Sequence, residues 1–230
     1  MNAARRPLPR ENARRIASAF LPGSLLGSRY HYYYARAKLR SDPLYPGVCE
    51  ALRGNAAPLL DLGCGLGLLA HALRDAGIGL RYFGVDNDAR KIMAARRAAL
   101  RVGLHDAGFE TLDLSGALPP HRGSVAILDV LQFLEPERQL AVIDAVATML
   151  QPGARLVIRT GLDDGSRRAR ITRATDRLAR ALGWMNAAPR HYPDPAALRE
   201  RFQAHGLRSE FVPLSGDTPF NNWRIVAAPA

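Results

Sequence analysis

Lysine is nearly missing from this chain: Lys38 and Lys91 are the only two, against a combined lysine and arginine count of 32. The formal net charge of +11 is therefore carried almost wholly by arginine, alongside abundant alanine, a bias that a GC-rich genome also produces. Read functionally, such a charge suits an acidic partner: nucleic acid, an anionic membrane surface, an acyl carrier protein or an anionic substrate. Cysteine is equally scarce. Cys49 and Cys64 show neither metal-ligand nor disulfide spacing, which speaks against a metal centre and for a reducing, cytoplasmic setting. Long apolar runs are absent, because charges interrupt every candidate, and this excludes a membrane-spanning helix. The basic stretch ending at Arg15 contains Glu11, and no apolar h-region follows it, so a secretory signal is not expected. Internal repeats are lacking too.

What is present is an ordinary globular composition of 230 residues with 47% apolar side chains, enough for one substantial core with additions. Beyond residue 55 the patterns alternate between strand and helix, which predicts a parallel sheet covered on both faces. The predicted strands are 58–62, 80–85, 109–112, 125–130 and 155–160, followed by two closing runs at 207–214 and 222–227. Predicted helices span 67–75, 89–100 and 136–150. Pro136 opens the last of these, and Pro152-Gly153 follow its end. Residues 1–54 form an expected N-terminal helical cap with a helix break at Ser41-Asp42-Pro43, and residues 55–230 the main domain. Within it, an insertion at 163–205 carries Ile171, Ala174, Leu178 and Ala181 at helical spacing, with Arg167, Arg170, Arg173, Arg177 and Arg180 on the remaining face.

The most informative run is Leu59-Leu60-Asp61-Leu62-Gly63-Cys64-Gly65-Leu66-Gly67-Leu68-Leu69-Ala70. An apolar strand ends in a carboxylate, and three alternate glycines then turn the chain into a helix. Glycine permits unusual backbone angles and lets a ligand lie against bare backbone. Nineteen positions past Gly67, the run Tyr82-Phe83-Gly84-Val85 ends in Asp86, placed to accept from the two hydroxyls of a ribose. An adenosine-containing cofactor is expected. Gly65 to Ala70 formally fits the dinucleotide pattern G-x-G-x-x-G/A, but Asp61 has the wrong sign to face a pyrophosphate and the right one for an ammonium.

The string D-L-G-C-G-L-G resembles motif I, D/E-x-G-x-G-x-G, of the class I S-adenosylmethionine-dependent methyltransferases. The resemblance implies an α/β, Rossmann-like doubly wound, mostly parallel seven-stranded sheet with a terminal antiparallel hairpin, and S-adenosyl-L-methionine as cofactor. It further implies that Gly63, Gly65 and Gly67 form the loop against the methionine part, with Asp61 holding the ammonium. Asp86 would bind the ribose hydroxyls, Asn87 would flank the adenine, Asp113 would accept from the adenine amino group, and Leu114 would pack on the ring. Asp129 would border the methionine end. Helix-cap and turn readings stand beside these for Asp88, Asp113 and Asp129.

Methyl transfer is an in-line displacement at a positively charged sulfur, so the protein supplies proximity and alignment, and needs a base only for a protonated nucleophile. His191 is the candidate base, with a solvent-facing loop histidine as the plain alternative. Arg159 is a candidate for an anionic substrate group, or else an ion-pair partner. Tyr33 and Tyr34 could close over the cofactor or pack a helix onto the core. The string Asp129-Val130-Leu131-Gln132-Phe133-Leu134 lacks the N/D-P-P-Y/F of amino-directed nucleic-acid enzymes and looks like the D-V-L-x-x-L of small-molecule methyltransferases, with Gln132 where a histidine is common. Lys38–Pro43, Ile158–Gly161 and Thr218–Trp223 look similar to methyltransferases of bacterial aryl-polyene pigment pathways. That likeness implies secondary metabolism, with O- or C-methylation of an aromatic or carboxylate compound. An acyl carrier protein could then dock on the arginine-rich helix at 166–184, with a solvated helix face, arginine in place of lysine, as the plain alternative. Three alternatives are an RNA methyltransferase, a nicotinamide-dinucleotide oxidoreductase and a non-catalytic nucleoside-binding protein.

Overall fold

The computed structural model describes residues 6–24, 26–166, 168, 191–216 and 220–230. Most of the predicted arginine-rich helix at 166–184 and of Thr218–Trp223's first residues therefore lies outside the described residues. Seven strands form one sheet in the order β3-β2-β1-β4-β5-β7-β6, the doubly wound order with an antiparallel hairpin at one edge. By its contacts the chain divides into two compact units, Met1–Leu114 and Ser115–Ala230.

The first unit opens with helices α1 (Arg10–Ser18), α2 (Tyr30–Ser41) and α3 (Leu44–Leu52). The break before α3 falls at Asp42-Pro43, where the proline ring denies the preceding residue helical geometry. Asp42 then receives the Leu44 N–H at 3.0 Å. Next come β1 (Leu59–Leu62), α4 (Leu68–Asp75), β2 (Tyr82–Asp86), α5 (Ala89–Arg101) and β3 (Ala107–Thr111). β1, β2 and β3 run parallel, with Asp61 opposite Gly84 and Asp86 opposite Thr111. α1 is tied to α4 where Asn12 and Arg15 both donate to Asp75.

The second unit contains β4 (Ser124–Leu128), a 3-10 turn (Leu131–Phe133), α6 (Pro136–Ala147), β5 (Leu156–Gly161), α7 (Pro195–Ala204), β6 (Leu207–Pro213) and β7 (Asn222–Pro229). β5 is buried along its whole length, as a strand flanked on both sides and covered on both faces must be. β7 pairs antiparallel with both β5 and β6. No helix among the described residues is long and apolar enough to cross a membrane.

Candidate functional site

The first unit builds a loop around three left-handed glycines. Leu59, Leu60 and Leu62 are fully buried, so β1 is anchored before the chain turns. Gly63, Gly65 and Gly67 then take φ of 80°, 57° and 70°, a region costly for any residue with a Cβ. The turn is stitched to the end of β2: Gly63 and Cys64 N–H donate to Val85 O at 2.7 and 2.9 Å, and Gly65 N–H donates to Asp86 Oδ2 at 2.9 Å. A Cβ on Gly65 would meet nothing within 4 Å, so the backbone there borders open space. One on Gly67 would strike the Phe109 ring. The second and third glycines of the pattern therefore have different work: Gly65 leaves bare backbone against open space, and Gly67 makes room for the Phe109 ring of β3.

Two carboxylates flank the loop. Asp61 is 1% exposed and accepts the Tyr82 hydroxyl on Oδ2 at 2.6 Å, while its buried Oδ1 has no partner among the described residues. Burial pushes this carboxyl up to about 7; the Tyr82 hydrogen bond pulls it down and the Asp86 charge adds to the rise. An orphaned buried carboxylate oxygen is costly unless a cation or donor meets it. Asp86 is held by backbone on both oxygens, Gly65 N–H on one and Asp88 N–H on the other at 2.9 Å. Each oxygen keeps a second lone pair for a hydroxyl donor. Asp88 caps α5, accepting from Arg90 and Lys91 N–H. The Leu112 N–H bond to Asp86 O sets the segment carrying Asp113 and Leu114 beside the end of β2. Leu114 is buried, whereas Asp113 and Asn87 are exposed.

In the second unit, Asp129 stands just past β4 with φ of 60°, the one described non-glycine residue at positive φ. Its N–H donates to Arg159 O at 2.8 Å and its carboxylate pairs with the Arg159 guanidinium, which is 6% exposed. Thr160 Oγ1 lies 3.0 Å from Gln132 Oε1 and donates to it. The Gln139 amide reaches three carbonyls, those of Leu131, Leu134 and His191, at 2.9, 3.1 and 2.7 Å. His191 Nε2 lies 2.8 Å from Glu135 Oε2, both half-exposed.

Residues 59–153 match the family model of a methyltransferase domain. Over these residues the chain carries a methyltransferase domain, and its seven-stranded sheet is that of the Rossmann-like methyltransferase fold. The chain is similar to a carboxy-S-adenosyl-L-methionine synthase of Pseudomonas syringae pv. syringae, at 29% identity over 164 residues, covering 63% of this chain and 65% of that one. It is also similar to a ubiquinone biosynthesis O-methyltransferase of Xylella fastidiosa, at 32% over 108 residues, 46% of this chain and 42% of the other. The chain thus spans less than two thirds of the length of these curated relatives. Among solved structures it superposes on magnesium protoporphyrin IX methyltransferase from Synechocystis with bound SAH, with a TM-score of 0.63 at 20% identity over 96% of this chain and 94% of that one.

Within the methyltransferase domain, the loop and strand-end bonds bring together Asp61, Gly63, Gly65 and Asp86, with Asn87, Asp113 and Leu114 on the adjoining segments. Asp129 and Arg159 meet each other as an ion pair. Tyr33 and Tyr34 are 55% and 46% exposed on α2, and their side chains make ring contacts with Tyr32 and Tyr30 respectively. Sequence reading missed Tyr82, Gly84 and Thr160. The parallel register that sets Leu59 opposite Tyr82 and Asp61 opposite Gly84 carries the signal: an aromatic hydroxyl near the strand-end acid, and a glycine where a Cβ would lie 2.8 Å from Cys64 Sγ.

Proposed function

We propose that this chain transfers the methyl group of S-adenosyl-L-methionine to a small-molecule acceptor. The observation that carries the reading is the orphaned, buried Oδ1 of Asp61 beside the open backbone of Gly65, with Asp86 fixed in register by the same loop. That donor set fits an amino-acid nucleoside, with a carboxylate for the ammonium, bare backbone for the chain, and a second carboxylate for the ribose hydroxyls. The cofactor supplies an electrophilic methyl on a positively charged sulfur. Asp61 orients it by its ammonium and Asp86 by its ribose. Asn87 flanks the adenine, Asp113 accepts from the adenine amino group, and Leu114 packs on the ring. Charge is dispersed as the methyl moves, so alignment and exclusion of water are what the protein contributes.

The acceptor we favour is an aromatic or carboxylate compound methylated on oxygen or carbon, in a secondary-metabolic setting in the cytoplasm. The Asp129-Val130-Leu131 string and the O-methyltransferase similarity support this class. His191, paired with Glu135, is the candidate base for a phenol or hydroxyl acceptor. Arg159 holds an anionic group of the acceptor bidentately, exchanging its Asp129 partner for it. Docking of an acyl carrier protein on the arginine-rich helix predicted from the sequence at 166–184 belongs to the same reading. Charge reversal at Arg170, Arg173 and Arg177 that left turnover of a carrier-bound substrate intact would remove it.

Calorimetry with S-adenosylhomocysteine and with nicotinamide dinucleotides is the first test. Nucleoside binding with methyl transfer to phenolic or carboxylate acceptors is the expected outcome, and binding of a dinucleotide alone overturns it. A second reading, favoured by the Pseudomonas similarity, is synthesis of carboxy-S-adenosyl-L-methionine. A cofactor product of increased mass would distinguish it from methyl loss.

A further inference from the structure

Asp61 is locked from one side only. Its Oδ2 takes the Tyr82 hydroxyl, on a residue 5% exposed, and the Tyr82 ring packs at a tilt against Phe109, with 5.6 Å between centroids. Its Oδ1 is equally buried and has no donor among the described residues. We infer that Tyr82 is a positioning residue that aims Asp61 Oδ1 at a ligand ammonium, and that filling this place releases one proton from Asp61 to solvent. The inference rests on the proposed cofactor site and deepens it.

The proton balance is simple. Before binding, part of the protein population carries Asp61 as a neutral acid; with the ammonium in place the carboxylate is favoured, its proton leaves for water, and the ligand keeps its own. The groups facing Asp61 within the first unit make the neutral form accessible. Asp86 is a like charge from β2; the Cys64 thiol is kept neutral by burial against the opposing charge of Lys91, and Tyr45 stands near Tyr82. Burial is the largest cause, and it holds the carboxyl near neutral pH. Tyr82 works against burial: its hydrogen bond stabilises the carboxylate, the form that the ammonium needs. Phenylalanine at 82 would keep the ring and lose that bond.

The test is calorimetric titration of the full chain with S-adenosylhomocysteine between pH 5.5 and 7.5, in buffers of different ionisation enthalpy so that released protons are counted. Methylthioadenosine, which has no amino-acid part, is the control ligand. In the wild type, affinity for S-adenosylhomocysteine should fall up to about tenfold per pH unit on the acid side, with close to one proton released there. Methylthioadenosine binding should be flat. Tyr82→Phe should move the fall to higher pH, weakening binding near pH 7 roughly tenfold. Asp61→Asn should remove proton release altogether. Zero proton release by the wild type at pH 6 overturns the inference without any variant, as does a Tyr82→Phe profile that overlays the wild type. Proton release with methylthioadenosine also overturns it. If the wild type binds neither nucleoside at any pH, the proposed function itself fails first.

Discussion

At the scale of single residues, the loop separates two roles that the glycine pattern alone presents as one. Gly65 and Gly67 share positive φ, so alanine at either costs about 1–2 kcal/mol in backbone strain. Only at Gly67 does the added methyl also overlap the Phe109 ring, which adds about 1–3 kcal/mol of overpacking. Gly67→Ala should therefore lower the urea midpoint well beyond Gly65→Ala. The binding ranking should reverse among the molecules that remain folded: Gly65→Ala, whose methyl enters the open cradle, should weaken S-adenosylhomocysteine binding roughly tenfold or more. Equal stability losses from the two variants would contradict this assignment.

At the scale of elements, the ends of α5 and the turn after β4 depend on single side chains. Asp88→Ala removes the cap of α5 and should cost about 1 kcal/mol, read from denaturant unfolding. Gln139 is a stronger case, because its amide gathers the carbonyls of the 3-10 turn and of His191. Gln139→Leu leaves those acceptors without it and should cost about 1–3 kcal/mol, with faster amide exchange at Phe133 and Leu134. The elements were largely readable beforehand. Predicted helix 89–100 is observed as Ala89–Arg101, and predicted strand 155–160 as Leu156–Gly161, because caps, prolines and apolar runs act locally. Helix 136–150 ends early, at Ala147, since the Met149 and Leu150 N–H groups close 3-10-type turns to Val146 and Ala147 and the Thr148 hydroxyl donates to Ala145 O. What local signals do not carry is register. Nothing near Asp61 in sequence announces Tyr82, and nothing near Asp129 announces Arg159; both partners arrive from neighbouring elements of the sheet. The glycine loop and the strand-end acid were legible for the opposite reason, since both are fixed by chain geometry over a short span.

At the scale of the whole molecule, two buried groups should shape stability against pH in opposite directions. His71 is 5% exposed against the Phe20 ring, its Nε2 has no partner among the described residues, and burial lowers it to about 4. Between about 4 and its ordinary 6.5, the unfolded chain takes up a proton that the folded state refuses, so His71 makes stability rise with pH. Asp61 is raised from 3.8 to about 7, so the folded state keeps a proton that the unfolded chain gives up, and stability falls as pH rises across that span. Each slope is at most about 1.4 kcal/mol per pH unit, and over pH 4–6.5 they oppose one another. The lowered carboxylates Asp88, Asp144 and Asp164 lose their contribution only as pH falls through and below 3.8, outside this window. The wild type should thus show a nearly level urea midpoint from pH 4.5 to 6.5, a plateau made by cancellation and not by an absence of titrating groups. His71→Leu should expose the Asp61 slope and lose stability as pH rises, and Asp61→Asn should expose the His71 slope and gain it. The double variant should be level again. Single variants that keep the wild-type plateau would show that neither group titrates inside the folded protein. The opposite tilts would show that the stability lost by ionising the buried Asp61 carboxyl as pH rises is matched over this range by the stability gained as the buried His71 ceases to oppose folding.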